Sequence, residues 1–387
     1  MITISNIAAG IKPSLTRKLF DMAKGYDDVV DFTLGDPDLP PHTAIKAAGC
    51  RAIEEGRTRY SQNAGLLDLR NTISTYYNSK EALLYDAQKE IIVTVGAMEG
   101  LYLSLLTILN PGDEVIIPAP YWINYTQMVS MCHAVPIIVD SDEDDLTVSV
   151  DSIKRVVTSK TKAIIINTPN NPTGIVMSQD ILAGIADLAI TYNFAVIADE
   201  VYKTLMYDQP AFKSIAHFPG MRERTILINS FSKEFCMTGW RIGYVLAPEI
   251  VIAAMTRMQE NVVACAPLPS QYAAIEALKN ADVYSETMRT EFRKRRDVLY
   301  DGIQRIDLLS CRQPDATFYL MVNIKKTGFD SESFAYRLLQ DVQVAVVPGI
   351  TYGKICEGYV RLAFTLSIER IREGIIRLDK FIQNLQR

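Results

Sequence analysis

The chain has 387 residues, 48% of them hydrophobic and 22% charged, with a net charge of -5. A chain of that length outgrows a single hydrophobic core, so two packed domains of ordinary globular composition are expected and disorder is not. The acidic balance lacks the basic excess that a phosphate backbone selects, which argues against a nucleic-acid partner.

The N-terminus has no charged region followed by an apolar one. The longest apolar stretch, Ile181 to Ile190, is too short to span a bilayer and contains Asp187. A cytoplasmic protein without membrane contact is expected. From Glu90 onward, short β-branched runs alternate with helix-period segments, the pattern of βα units around a largely parallel sheet. The candidate strands are Glu90 to Val95, Val115 to Ile117, Pro136 to Val139, Ala163 to Ile166, Phe194 to Ala198, Thr225 to Ile228 and Ile242 to Leu246. Asp142-Glu143-Asp144-Asp145 reads as an exposed acidic loop. Ser178 is placed to cap a helix whose apolar stripe is Ile181, Leu182, Ile185, Leu188 and Ala189.

After Val245 the pattern turns helical, with a long stretch near Val283 to Ile306. The basic run Arg293-Lys294-Arg295-Arg296 within it is expected to be a solvated helix face. Strands follow at Thr317 to Val322, Gln343 to Val346 and Tyr359 to Ala363. A closing helix then places Ile368, Ile371, Ile375, Leu378 and Ile382 three and four apart. Cysteines 50, 132, 236, 265, 311 and 356 have no C-x-x-C spacing and read as reduced, mostly buried small hydrophobes. His42, His133 and His217 form no ligand motif, so no metal site is expected.

The chemistry gathers around Lys233, in Asn229-Ser230-Phe231-Ser232-Lys233, with Thr238-Gly239-Trp240-Arg241-Ile242-Gly243 behind it and Asp199-Glu200-Val201-Tyr202 ahead of it. An amine to hold an aldehyde, a hydroxyl and a cation for a phosphate, and a carboxylate for a ring nitrogen are what pyridoxal 5'-phosphate requires. Asp199 ends a candidate strand, where open α/β sheets bind ligands. Val93-Thr94-Val95 followed by Gly96-Ala97-Met98 sets a strand, a tight turn and a helix start in succession, which presents backbone N–H groups to an anion. Arg361, in Tyr359-Val360-Arg361-Leu362-Ala363, is a charge in an apolar strand and calls for an anionic partner.

Together with Gly35-Asp36-Pro37-Asp38, Tyr60-Ser61, Gly65-Leu66, Leu69-Arg70 and Asn170-Asn171-Pro172-Thr173-Gly174, these segments resemble the class I and II aminotransferases, of the aspartate and aromatic type. The resemblance implies the α/β fold type I: a mostly parallel seven-stranded sheet with helices on both faces and a smaller α+β domain. It places an N-terminal arm and part of the small domain in residues 1–44, the large cofactor-binding domain in 45–285 and the small C-terminal domain in 286–387. By the same resemblance Lys233 is the covalent tether and proton shuttle, and Asp199 faces the pyridine nitrogen. Asn171 and Tyr202 hydrogen-bond the phenolic oxygen. Gly96, Ala97, Met98, Ser230 and Arg241 hold the phosphate. Many relatives have a hydroxyl residue where this chain has Met98, so its backbone is expected to carry more of that binding. Trp122 stacks on the ring, with Tyr121 as the register alternative. Arg361 clamps the substrate carboxylate with help from the Gly35 N–H, and Tyr60 reaches the phosphate of the other subunit in a homodimer.

The activity implied is ping-pong transfer of an α-amino group from an L-amino acid to a 2-oxo acid such as 2-oxoglutarate. A neutral thioether at Met98 cannot pair a distal carboxylate, which favours an aromatic or other apolar donor over aspartate. Carbon-sulfur lyases and aminocyclopropane carboxylate synthases resemble the same fold and form the alternative. A cofactor-sensing regulator would need a DNA-binding domain ahead of the Gly35 motif, for which there is no room, and a scaffold would not need the partners of Lys233.

Overall fold

The computed structural model describes residues 2–11, 15–208 and 212–386. Seven strands form the larger sheet: β1 (Ile91–Thr94), β2 (Glu114–Pro118), β3 (Val135–Val139), β4 (Thr161–Asn167), β5 (Ala195–Asp199), β6 (Thr225–Ser230) and β7 (Gly243–Leu246). They stand in the order β1-β7-β6-β5-β4-β2-β3. β7 runs against both neighbours, and the remaining pairs are parallel. Every residue of β1, β6 and β7 is buried. Helices cover both faces, which is why these strands read as unbroken apolar runs rather than alternating ones.

The register decides where chemistry can occur. Asn167 pairs with Asp199 across β4 and β5. Ser230 pairs with Gly243, and Gly243 with Thr94, across β6, β7 and β1. Five neighbouring strands of the sheet therefore end or begin along one edge, the carboxyl ends of the parallel strands, where a crevice opens.

Helix α1 (Gly96–Ile108) starts at that edge, directly after β1. In α2 (Gln179–Tyr192) the Ser178 hydroxyl caps the first turn by accepting from the Ile181 N–H at 3.3 Å. Leu182, Ile185, Leu188 and Ala189 are buried along its stripe. The short α3 (Phe231–Glu234) carries Lys233, and Ser230 caps it by accepting from the Ser232 N–H at 2.8 Å.

The long helix α4 (Ala281–Ile303) leads to a four-stranded antiparallel sheet of β8 (Ser310–Cys311), β9 (Tyr319–Asn323), β10 (Val347–Pro348) and β11 (Tyr359–Ala363), ordered β10-β11-β9-β8. The strand expected at Gln343 to Val346 is divided. Val344–Ala345 pairs in parallel with Val30–Asp31 of the N-terminal arm, and the chain joins the antiparallel sheet only from Val347. The strand expected from Thr317 begins two residues later, because Thr317 has a φ of +65°. The final helix, α5 (Ile368–Leu385), buries Ile371, Leu378, Phe381 and Ile382.

Two expectations are corrected. Arg295 and Arg296 do not lie on a solvated face. Each is 4% exposed, because α4 passes beneath segments that bring carboxylates to it. Arg295 pairs with Asp38 at 2.6 Å and Glu291 at 2.9 Å, and Arg296 with Asp208 and Asp297, both at 2.7 Å. The six cysteines are all free, but only Cys132 and Cys356 are fully buried, and Cys50 is exposed. The acidic loop 142–145 is exposed as expected. Among the described residues no helix is long and apolar enough to cross a membrane, and no group of three or more His, Cys, Asp or Glu could hold a metal ion.

Candidate active site

A cavity of about 460 Å³ opens at the carboxyl edge of the larger sheet and is walled on its other side by β9 and β11. Its lining includes Gly35, Ala97, Met98, Trp122, Asn171, Asp199, Tyr202, Ser230, Lys233, Arg241 and Arg361. Residues separated by more than 300 positions are thus brought together. Trp122 faces this cavity, whereas Tyr121 lines an adjoining one of about 280 Å³. Tyr60 is 86% exposed and lies outside its own chain's cavity.

The Lys233 amine is half-buried and donates to the Gly35 carbonyl at 2.6 Å. Burial pushes its pKa down from 10.5 to about 8; Asp36 opposes the shift, and Arg361 and Arg241 add to it. A substantial neutral fraction near physiological pH makes this amine a nucleophile and a base. Asp199 is 4% exposed. Burial raises its carboxyl from 3.8 to about 6, against the Tyr125 hydroxyl donating at 2.7 Å, the Val201 N–H at 3.4 Å and the charge of Lys233. A carboxylate so placed gains most from facing a cation, and a protonated ring nitrogen is one.

The anion end of the cavity lies at the start of α1. Gly96 has a φ of +75°, and a Cβ there would come within 2.5 Å of the Arg241 guanidinium. Arg241 itself donates to the Thr238 carbonyl at 2.8 Å. A helix N-terminus and an arginine facing the same spot form an anion site.

At the opposite end Arg361 is 4% exposed, yet among the described residues no carboxylate lies within ion-pair distance of it. It donates to neutral oxygens only, Asn171 Oδ1 at 3.2 Å and the Thr33 carbonyl at 2.5 Å, and its Nε is buried without a partner. A structural ion pair is therefore not what holds this guanidinium, and one of its N–H groups is left without a partner.

A model of the family described as aminotransferase class I and II matches residues 27–378. The chain belongs to this family. The aspartate aminotransferase of Pyrococcus abyssi is 39% identical to it over 376 residues, 96% of each chain. Aromatic-amino-acid aminotransferase 2 of Thermococcus litoralis is 36% identical over 376 residues, again 96% of each. Among solved structures, an aromatic aminotransferase from Pyrococcus horikoshii OT3 matches with a TM-score of 0.90 at 36% identity, covering 95% of this chain and 99% of that one. The chain is thus a transaminase, and class I and II aminotransferases use pyridoxal phosphate.

The residues of this aminotransferase fit that cofactor. The cavity combines a depressed amine, a buried carboxyl, a glycine-floored anion cradle and a guanidinium with an orphaned N–H, which are the groups an aldehyde, a ring nitrogen, a phosphate and a substrate carboxylate need. Several members of the aminotransferase site were not singled out in the sequence. Tyr125 supports Asp199. Asn167 donates to the Asp199 carbonyl at 3.0 Å and accepts from the Asn171 N–H at 2.8 Å, fixing the turn that aims Asn171. Tyr319 meets the Tyr202 hydroxyl at 3.1 Å. Tyr125, three positions after Trp122, stood near a residue that the sequence singled out.

Proposed function

We propose that this aminotransferase transfers the α-amino group of an L-amino acid with an aromatic or other apolar side chain to a 2-oxo acid such as 2-oxoglutarate, in two half-reactions. The observation that carries the donor preference is the inventory of cations in the cavity. Among the described residues Lys233, Arg241 and Arg361 are the lysine and arginines that line it, and aldehyde, phosphate and α-carboxylate would engage all three. The rest of the lining includes Leu34, Met98, Leu101, Ile123 and Tyr352 beside the uncharged Thr33, Asn124, Ser232 and Thr238, a surface without a further cation that favours an apolar side chain over a carboxylate. Aspartate is the second reading, supported by the name of the Pyrococcus abyssi relative.

In this reading Lys233 would hold the cofactor aldehyde, and its free amine would take the proton from the substrate α-carbon. Asp199, oriented by Tyr125, holds a proton on the ring nitrogen. Tyr202 and Asn171 would hydrogen-bond the phenolic oxygen, and Trp122 would pack against the ring. Ser230, Arg241 and the backbone N–H groups of Gly96, Ala97 and Met98 hold the phosphate. Arg361 would take the α-carboxylate beside Gly35. Bound pyridoxal phosphate supplies the electron sink that makes the α-proton acidic.

The exposure of Tyr60 supports a homodimer in which each Tyr60 reaches the other subunit's phosphate site. The same reading treats 45–285 as the cofactor domain, 1–44 with 286–387 as the smaller one, and the setting as cytoplasmic.

The test is to add amino acids singly to the cofactor-bound protein and follow the loss of its visible absorbance. Phenylalanine, tyrosine or a large aliphatic amino acid is expected to convert it faster than aspartate. Faster conversion by aspartate reverses the donor assignment. Release of pyruvate and ammonia from cysteine without transamination by any donor assigns a lyase instead.

A further inference from the structure

We propose that Tyr319 is a positioning residue that links the carboxylate clamp Arg361 to the hydroxyl of Tyr202. The Tyr319 and Tyr202 hydroxyls are 3.1 Å apart and both residues are buried. The ring of Tyr319 lies 4.4 Å from the Arg361 guanidinium carbon. Its hydroxyl is pinned from the other side by Gly35, where a Cβ would come within 1.9 Å of it. Tyr319 therefore touches two of the proposed working groups at once.

The backbone beneath it is held in place at a cost. Thr317 is fully buried and β-branched, yet has a φ of +65°, a conformation such residues rarely adopt. Its N–H donates to the Leu205 carbonyl at 2.9 Å, its own carbonyl accepts from the Tyr207 hydroxyl, and its Oγ1 accepts from the Tyr319 N–H at 3.1 Å. These bonds fix the turn that sends Phe318 toward Lys233, whose amine is 5.6 Å from that ring, and Tyr319 between Arg361 and Tyr202.

The link has a direction. A phenol beside a guanidinium is the better donor of a pair, so Tyr319 gives its proton to the Tyr202 oxygen and leaves the Tyr202 proton for an acceptor in the cavity. Burial raises both phenols, and at Tyr319 the leading opposing influence is Arg361. When a carboxylate neutralises Arg361, Tyr319 donates less strongly, Tyr202 follows, and an anionic oxygen facing Tyr202 is held less tightly. Occupancy of the clamp is thereby reported at the phenolic oxygen.

This inference rests on the placement of Tyr202 proposed above, and one experiment separates the two. The visible absorbance of cofactor-bound protein is titrated against pH for the unaltered chain, Tyr202→Phe and Tyr319→Phe, each with and without saturating 3-phenylpropionate, which has a carboxylate and no amine. Thermal melting checks that Tyr319→Phe, which keeps the ring, retains the fold. Expected are an upward shift of the transition in Tyr319→Phe by about one pH unit, the loss of one hydrogen bond, a larger shift in Tyr202→Phe, and a response to 3-phenylpropionate in Tyr319→Phe reduced to half or less. If Tyr202→Phe shifts and Tyr319→Phe titrates and responds like the unaltered chain, the link is refuted while the Tyr202 placement stands. If neither variant shifts, the placement of Tyr202 fails and the link fails with it.

Discussion

Arg361→Leu is the perturbation that best separates a substrate clamp from a structural arginine. The guanidinium is 4% exposed and donates to two neutral oxygens, Asn171 Oδ1 and the Thr33 carbonyl, and its Nε has no partner. Two charge-assisted hydrogen bonds to a bound carboxylate, at about 1.5 to 3 kcal/mol each, come to roughly 3 to 6 kcal/mol. At about 1.4 kcal/mol per tenfold, kcat/KM for L-phenylalanine should fall between about a hundredfold and about twenty-thousandfold. The assay follows the first half-reaction by absorbance with two donors, L-phenylalanine and phenethylamine, which differ only in the carboxylate. Phenethylamine should react with the variant within about threefold of its rate with the unaltered chain, since it never used the clamp. An equal fall for both donors, accompanied by a lower melting temperature, would show that Arg361 holds the fold, and unchanged kinetics would remove it from the site.

Asp199→Asn should nearly abolish turnover while raising the stability of the cofactor-free protein at pH 7.5. The folded carboxyl titrates near pH 6 and the unfolded one near 3.8, so the folded state holds an extra proton between those values and stability falls as pH rises through them. The asparagine variant escapes that loss, about 2 to 3 kcal/mol, and denaturant melts at pH 3.5 and 7.5 would reveal it as a difference present only at the higher pH. Gly96→Ala forces a side chain to within 2.5 Å of Arg241 at a φ of +75°. It should weaken cofactor binding at least about tenfold, measured by fluorescence titration of the cofactor-free protein, with little change in the KM for amino acid.

What could be read in advance followed from chain-local physics. The seven strands were visible because strands buried on both faces are continuous aliphatic runs, and Asp199 stood out as a charge ending one of them. Lys233, Arg241 and Ser230 lie within a dozen positions of each other, so their chemistry could be read as a unit. Tyr319 and Asn167 could not, because their roles arise from contacts 117 residues away to Tyr202 and 32 residues away to Asp199. The failure at Arg295 and Arg296 has the same origin. A basic run on a helix looks solvated until Asp38 and Asp208, which lie 257 and 88 positions away, are folded against it.

The tether itself is open to direct observation. Protein saturated with pyridoxal phosphate, reduced with borohydride and digested, should carry the phosphopyridoxyl mass on the peptide containing Lys233, in about one copy per chain. The label on any other lysine, or its absence from that peptide, would contradict the account at its centre.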